Sequence, residues 1–228
     1  MYYQRIALKL FIPAVCTLVG ACATKPTYVI DPGTQQTDVK SSARITVVDK
    51  RAADDRESSM SSLIATSDRY GIHVLGDERF VPAPKVALAN RVERVLSGML
   101  QRPSSVIITL NRFNTQSNMQ AAMRHGAIGA SGLGPLGVAI AEEMFGKLRE
   151  QNIDVRKPFV LTYAEIAVEI RWPDNSRAAR IIAVLKANNY SESDPEGQNA
   201  VVAKTVSSAL DALAAGVNEL AQFFKRPS

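Results

Sequence analysis

The sequence predicts an α+β fold: a mainly antiparallel sheet backed by two amphipathic helices, in a single domain that carries a glycine-rich insert. Three observations lead there. Ala164, Ile166, Val168, Ile170 and Trp172 alternate with Glu165, Ala167, Glu169 and Arg171, the two-residue period of a half-buried strand. Pro173-Asp174-Asn175-Ser176 then supplies turn residues before a second apolar run from Ala178 to Ala187, which predicts a hairpin. Two further stretches, about Lys85 to Leu100 and Asn199 to Phe224, place apolar residues every three or four positions, the period of a one-faced helix. Each such stripe needs a sheet face to bury against.

At the start of the chain, Arg5 and Lys9 precede an apolar run from Leu10 to Val19, interrupted by Pro13 and followed by Gly20-Ala21 and Cys22. That order is the pattern of an export signal, and its apolar run falls short of the ~20 residues a spanning helix requires. Leu18-Val19-Gly20-Ala21-Cys22 resembles the bacterial lipobox. The resemblance implies removal of residues 1–21, acylation of Cys22 (palmitate among the acyl groups) and, with Ala23 rather than Asp next, an outer-membrane address. Both cysteines, Cys16 and Cys22, lie in this region, so the rest of the chain has no disulfide, cysteine metal site or thiol nucleophile. Removing Arg5 and Lys9 lowers the formal charge by two from +5, leaving a small and dispersed excess, with no clustered face for nucleic acid.

Residues 23–42 are rich in Thr, Pro, Gln, Asp and Ser, so a flexible tether is expected over 22–42, with the domain proper at 43–228. The domain opens on a β-branched run, Ile45-Thr46-Val47-Val48-Asp49. Lys50 to Ser62 reads as a loop. Leu63-Ile64-Ala65-Thr66 and Ile72-His73-Val74-Leu75 are strand candidates joined by a turn at Asp68 to Gly71. In the first helix Leu88, Val92, Val95, Leu96 and Met99 form the stripe, and Pro103 follows its end. Val106, Ile108 and Leu110 alternate with Ile107, Thr109 and Asn111 as a strand. After the insert at 114–157 comes the hairpin, and then the last helix, whose stripe is Val202, Val206, Leu210, Leu213, Val217, Leu220 and Phe224.

From Ile45-Thr46-Val47-Val48-Asp49-Lys50-Arg51 to the terminal helix, the chain resembles the YajG-type outer-membrane lipoproteins. More loosely, it is similar to the periplasmic domain of the curli-secretion lipoprotein family, whose members assemble into rings. The insert is longer than the first family's pattern. The resemblance implies an envelope location and brings no reaction with it.

No catalytic constellation is visible. His73 and His125 are the two histidines, and neither has a carboxylate at metal-ligand spacing. Asp54-Asp55 and Glu142-Glu143 are adjacent pairs that solvation explains, Glu142 and Glu143 diverging on a helix, and no serine sits in a nucleophile elbow. Gly132, Gly134 and Gly137 match the spacing of a dinucleotide loop, but no strand directly precedes them, so no nucleotide is expected. No cofactor or metal is expected either.

The insert is the most unusual segment. Gly126 to Ala141 carries no charge and includes Gly126, Gly129, Gly132, Gly134 and Gly137. Leu136, Ile140, Met144 with Phe145, and Leu148 then form an apolar stripe opposite Glu143, Lys147 and Glu150. Folding over the sheet, contact with a partner or a second copy, and membrane insertion on assembly are the three open readings. The expectation for the whole chain is a lipid-anchored, non-enzymatic structural or accessory component of an envelope assembly serving secretion, transport or a surface structure. Its partners would be the membrane, through Cys22, and envelope proteins or its own copies. The alternative is a periplasmic enzyme or small-ligand binder whose site forms only in three dimensions, gathering His73 with Asp and Glu side chains.

Overall fold

The computed structural model describes residues 27–31, 44–61, 72–99, 103–117, 146–191 and 194–224. The export signal at 1–21, Cys22, the strand candidate at 63–66, the turn at 68–71 and residues 118–145 of the insert lie outside these. In chain order the elements are β1 (Tyr28–Val29), β2 (Arg44–Asp49), β3 (Ser59–Ser61), β4 (Ile72–Leu75), β5 (Phe80–Val81), α1 (Pro84–Ser97), β6 (Ser105–Ser117), β7 (Phe159–Arg171), β8 (Arg177–Asn189) and α2 (Pro195–Phe223).

The α+β architecture is as expected, but the main sheet is mixed. Its order is β3-β4-β6-β7-β8, antiparallel throughout, and β2 adds to β6 in parallel, Ile45 opposite Val106 and Val47 opposite Ile108. One flank of β6 pairs with β7 along its length, so β2 (at 105–110) and β4 (at 115–117) share the other flank end to end. The β4 strand pairs with Ser59–Ser61, inside the stretch expected as loop. A second, two-stranded sheet pairs β1 with β5 in parallel.

One face of the main sheet carries the helices. Val106, Ile108, Leu110, Ala164, Ile166, Val168 and Ile170 bury beneath α1 and α2. From α2, Val202, Val206, Leu210, Leu213, Val217 and Leu220 are all buried, each such aliphatic contributing roughly 1.5–3 kcal/mol. By length and composition, 196–223 would suit a bilayer, but its apolar side is packed on β7, β8 and α1. Asp194 starts α2 by accepting the Gly197 N–H at 2.8 Å, with Pro195 in the first turn. Gly216 lets this helix approach the sheet closely, since a Cβ there would lie 3.0 Å from Ile182 Cγ2. Between the helices, Arg91, 2% exposed, donates to Asp211 at 2.7 Å.

Three sequence expectations are corrected. Part of the 22–42 tether is docked: Tyr28 and Ile30 are buried in the core, and Ile30 N–H donates to Val81 O at 3.0 Å. A two-residue strand leaves too little periodicity to be read. The insert expected at 114–157 starts later, because β6 runs on to Ser117, while β7 begins at Phe159, close to the expected end. A register shift between Leu110 and Arg112 switches the inward parity of β6 from even to odd residues, burying Phe113, Thr115 and Ser117. Finally, Leu148 does not serve the partner or membrane reading of the insert's stripe and instead folds over the sheet. It is fully buried against Phe159, Leu161 and Ala187, with Ile153 and Val155 packed around them on the sheet face opposite the helices.

Candidate protein-docking edge

One buried charge cluster organises the loops. Asp49-Lys50-Arg51 leaves β2, and the Arg51 guanidinium, fully enclosed, donates to both carboxylate oxygens of Asp49 (3.0 and 2.7 Å) and both of Asp77 (2.9 and 2.6 Å). Burial disfavours the charged guanidinium, but the hydrogen bonds to Asp77 and Asp49 outweigh it and hold the charge in place. The same bond from Arg51 holds the Asp49 carboxyl below its usual value of 3.8. All four oxygens of this cluster face the arginine, so it fastens the end of β2 to the turn before β5. Gly76 makes that turn possible, since any Cβ there would collide with the backbone of Arg56 and Ser58.

On the outer face, Glu165 accepts from Tyr163 OH at 3.2 Å and from Asn111 Nδ2 at 3.3 Å, and burial with the nearby Glu165 charge pushes the Tyr163 phenol above 10.0. His73 is half-buried in β4, in register with Met60 and Ser117. Among the described residues no group of three or more His, Cys, Asp or Glu side chains could hold a metal. His125 and the insert residues Gly126, Gly129, Gly132, Gly134, Leu136, Gly137, Ile140, Met144 and Phe145 lie outside the described residues, as does Cys22.

A feature with no signature in the sequence is the last strand of the sheet, β8. Strand β8 pairs with β7 over all thirteen of its residues, Arg177 to Asn189, and among the described residues no strand lies beyond it. Hydrogen-bond parity shows which of its backbone groups face outward. Tyr190 N–H donates to Pro158 O and Trp172 N–H to Ser176 O, so even-numbered residues point toward β7. Odd-numbered ones point away. Accordingly, Gln151 reaches in from outside, its Nε2 donating to Leu185 O at 3.1 Å and its Oε1 accepting Ala187 N–H at 3.1 Å. Asn189 is tied similarly, accepting Asp154 N–H at 2.9 Å and donating to Asp154 O at 2.8 Å. Residues 151–154 thus occupy one half of the edge with side-chain substitutes for a strand.

The other half, Ala179 to Ala183, has no such cover among the described residues. Ile181 is 65% exposed there. Beside it the last turn of α2 and the strand form a cleft of about 450 Å³, with Ala179, Arg180, Glu219, Leu220, Phe223 and Phe224 among its lining. Phe224, expected on the core stripe, is half-exposed and stacks on buried Trp172, ring centres 6.3 Å apart; Phe223 is more exposed still. The final aromatics of the helix, Phe223 and Phe224, form the cleft wall.

No protein-family model matches the chain, and no curated protein matches it. Solved structures give remote likenesses. A protein from Xanthomonas campestris described under the DUF330 family model is 12% identical with a TM-score of 0.40, over 89% of this chain and 97% of that one. A protein from Caulobacter crescentus described as a candidate lipoprotein is 12% identical with a TM-score of 0.33, over 64% of this chain and 87% of that one. Neither is described as a YajG-type or curli-secretion protein.

Proposed function

We propose that this chain is an exported lipoprotein, held at the outer membrane through acylated Cys22, that works without chemistry of its own as an accessory component of an envelope assembly for secretion, transport or a surface structure. It does so by accepting an extended segment of a protein partner along β8. The observation that carries the binding mode is the open stretch Ala179–Ala183 beside an aromatic-walled cleft. Main-chain groups of Ala179, Ile181 and Ala183 would supply strand-to-strand hydrogen bonds, and the cleft between Arg180 and Phe223 would take one apolar side chain. A strand edge plus a neighbouring helix groove separates affinity, which is main-chain, from specificity, which is the pocket.

Ile181→Pro tests it. The Ile181 N–H points away from β7, so proline there removes an edge donor and leaves the β7–β8 ladder whole. Cross-linking in intact cells followed by mass spectrometry should recover a specific envelope partner with the wild-type chain and lose it with Ile181→Pro. An undiminished partner yield from a folded Ile181→Pro chain refutes the edge reading. For the anchor, Cys22→Ala should abolish labelling by a palmitate analogue, and persistent labelling refutes it.

A further inference from the structure

Seven large hydrophobic side chains are exposed among the described residues: Val29, Val48, Val81, Val86, Ile181, Phe223 and Phe224. Ile181, Phe223 and Phe224 belong to the β8 edge and its cleft. Val29, Val81 and Val86, 73%, 53% and 50% exposed, lie elsewhere. Val29 and Val81 are register partners in the β1–β5 ladder, so they sit side by side and point the same way, while Tyr28 and Phe80, one position back in each strand, both turn into the core. Val86 stands five residues beyond Val81 in the first turn of α1, next to exposed Lys85. A two-stranded ladder with one buried face need not carry valines on the other; polar residues there would cost the core nothing.

The position of this ladder in the chain says what it meets. Five residues, 23–27, separate Cys22 from Tyr28, and six Cα–Cα steps reach at most ~20 Å in any conformation. We infer that Val29, Val81 and Val86, with Lys85 beside them, form a membrane-contact surface that seats the domain on the bilayer bearing its anchor; this rests on the lipid-anchor reading of Cys22. The valines enter the interfacial layer, and Lys85 keeps its ammonium at headgroup level with its methylenes along the apolar boundary. A short leash and an apolar footing at its root reinforce one another, because the tether raises the local concentration of bilayer at that surface.

The test uses the full chain, lipidated in cells and reconstituted into phosphatidylethanolamine–phosphatidylglycerol vesicles containing nitroxide-labelled phospholipid. The mature chain has no cysteine besides Cys22, so Val81→Cys and, separately, Val86→Cys accept an environment-sensitive dye at one site. Ile181→Cys is the control. Ile181 alternates with the helix-facing Ile182, so it lies on the opposite face of the sheet from β1 and β5, which pack on the helix side. The expected result is blue-shifted, nitroxide-quenched emission at 81 and 86 and neither effect at 181. Equal emission at all three, quenched or not, overturns the proposal while palmitate labelling of Cys22 leaves the anchor reading standing. Absence of that labelling defeats both.

Discussion

Replacing Arg51 by Met removes the centre of the cluster that joins β2 to the turn before β5. Four charge-assisted hydrogen bonds are lost, and two carboxylates that shared a cation are left facing one another. Breaking a fully buried ion pair costs about 3–5 kcal/mol. Here the carboxylate side chains retain some water, 16% exposed for Asp49 and 28% for Asp77, so part of that cost is recovered by rehydration. The expected destabilisation is therefore about 2–4 kcal/mol at pH 7, or roughly 1–2 M in urea midpoint for an m-value near 2 kcal/mol/M. The sign of its pH dependence follows from Asp49. Its folded carboxyl titrates below the unfolded value of 3.8, so the stabilisation is fully present above that value and is lost as pH falls through the lower folded one. The gap between wild type and Arg51→Met should therefore narrow below about pH 4. Equilibrium urea unfolding of the mature chain carrying Cys22→Ala, followed by Trp172 fluorescence and circular dichroism at pH 7 and pH 3, measures both. Coincident midpoints at pH 7, or a gap of the same size at pH 3, would show that Arg51 does not hold this corner together.

Leu148→Ala should cost about 2–4 kcal/mol, because a fully buried leucine leaves a cavity between Phe159, Leu161 and Ala187; a thermal shift within error of zero would place Leu148 outside the core. Thr115 and Thr162 are both fully buried and share one hydroxyl bond at 3.1 Å, so either single valine replacement should cost about 1–2 kcal/mol while the double replacement costs less than the sum; additive losses in the mutant cycle contradict the pairing. Gln151→Ala uncovers the outward backbone of Leu185 and Ala187, and hydrogen exchange should accelerate at the Ala187 amide by about tenfold, corresponding to ~1.4 kcal/mol, with Ala183 unchanged. Equal acceleration at both amides would mean general loosening rather than loss of a local cap.

The parts of the fold legible in the sequence are those where one face meets solvent. The β7–β8 hairpin and the stripes of α1 and α2 alternate between core and water, and their patterns translate directly. The stretch 159–162 did not read as strand because Phe159, Val160, Leu161 and Thr162 are all buried, helices on one side and Leu148 on the other, which erases the alternation. The second half of β6 was hidden by its parity switch. Asp49-Lys50-Arg51 was visible only as a strand end, since the partner that explains Arg51 lies 26 residues further on. The docking edge was least accessible of all. Whether a strand is central or terminal depends on long-range pairing, and Ile181 on an edge is spelled as it would be in the middle of a sheet.

Under the proposed function, anchor and edge together limit where a partner can stand. Docking of Tyr28 and Ile30 turns the expected twenty-residue tether into a five-residue leash, so an acylated Cys22 would leave the domain at most ~20 Å of slack. The domain itself, at fewer than 200 residues, is on the order of 40 Å across. Every part of the β8 edge then stays within roughly 60 Å of the bilayer, and Ile181 lies on the face away from the β1–β5 ladder. On that reading, an extended segment that adds to this edge must be presented within that distance, by a protein of the same leaflet or by a periplasmic one that approaches it. A partner confined to the far side of the periplasm could engage only by extending a segment of its own across that gap. A free tether over 22–42 would have imposed no such limit, so the two buried residues Tyr28 and Ile30 determine more about the partner than the length of the segment around them.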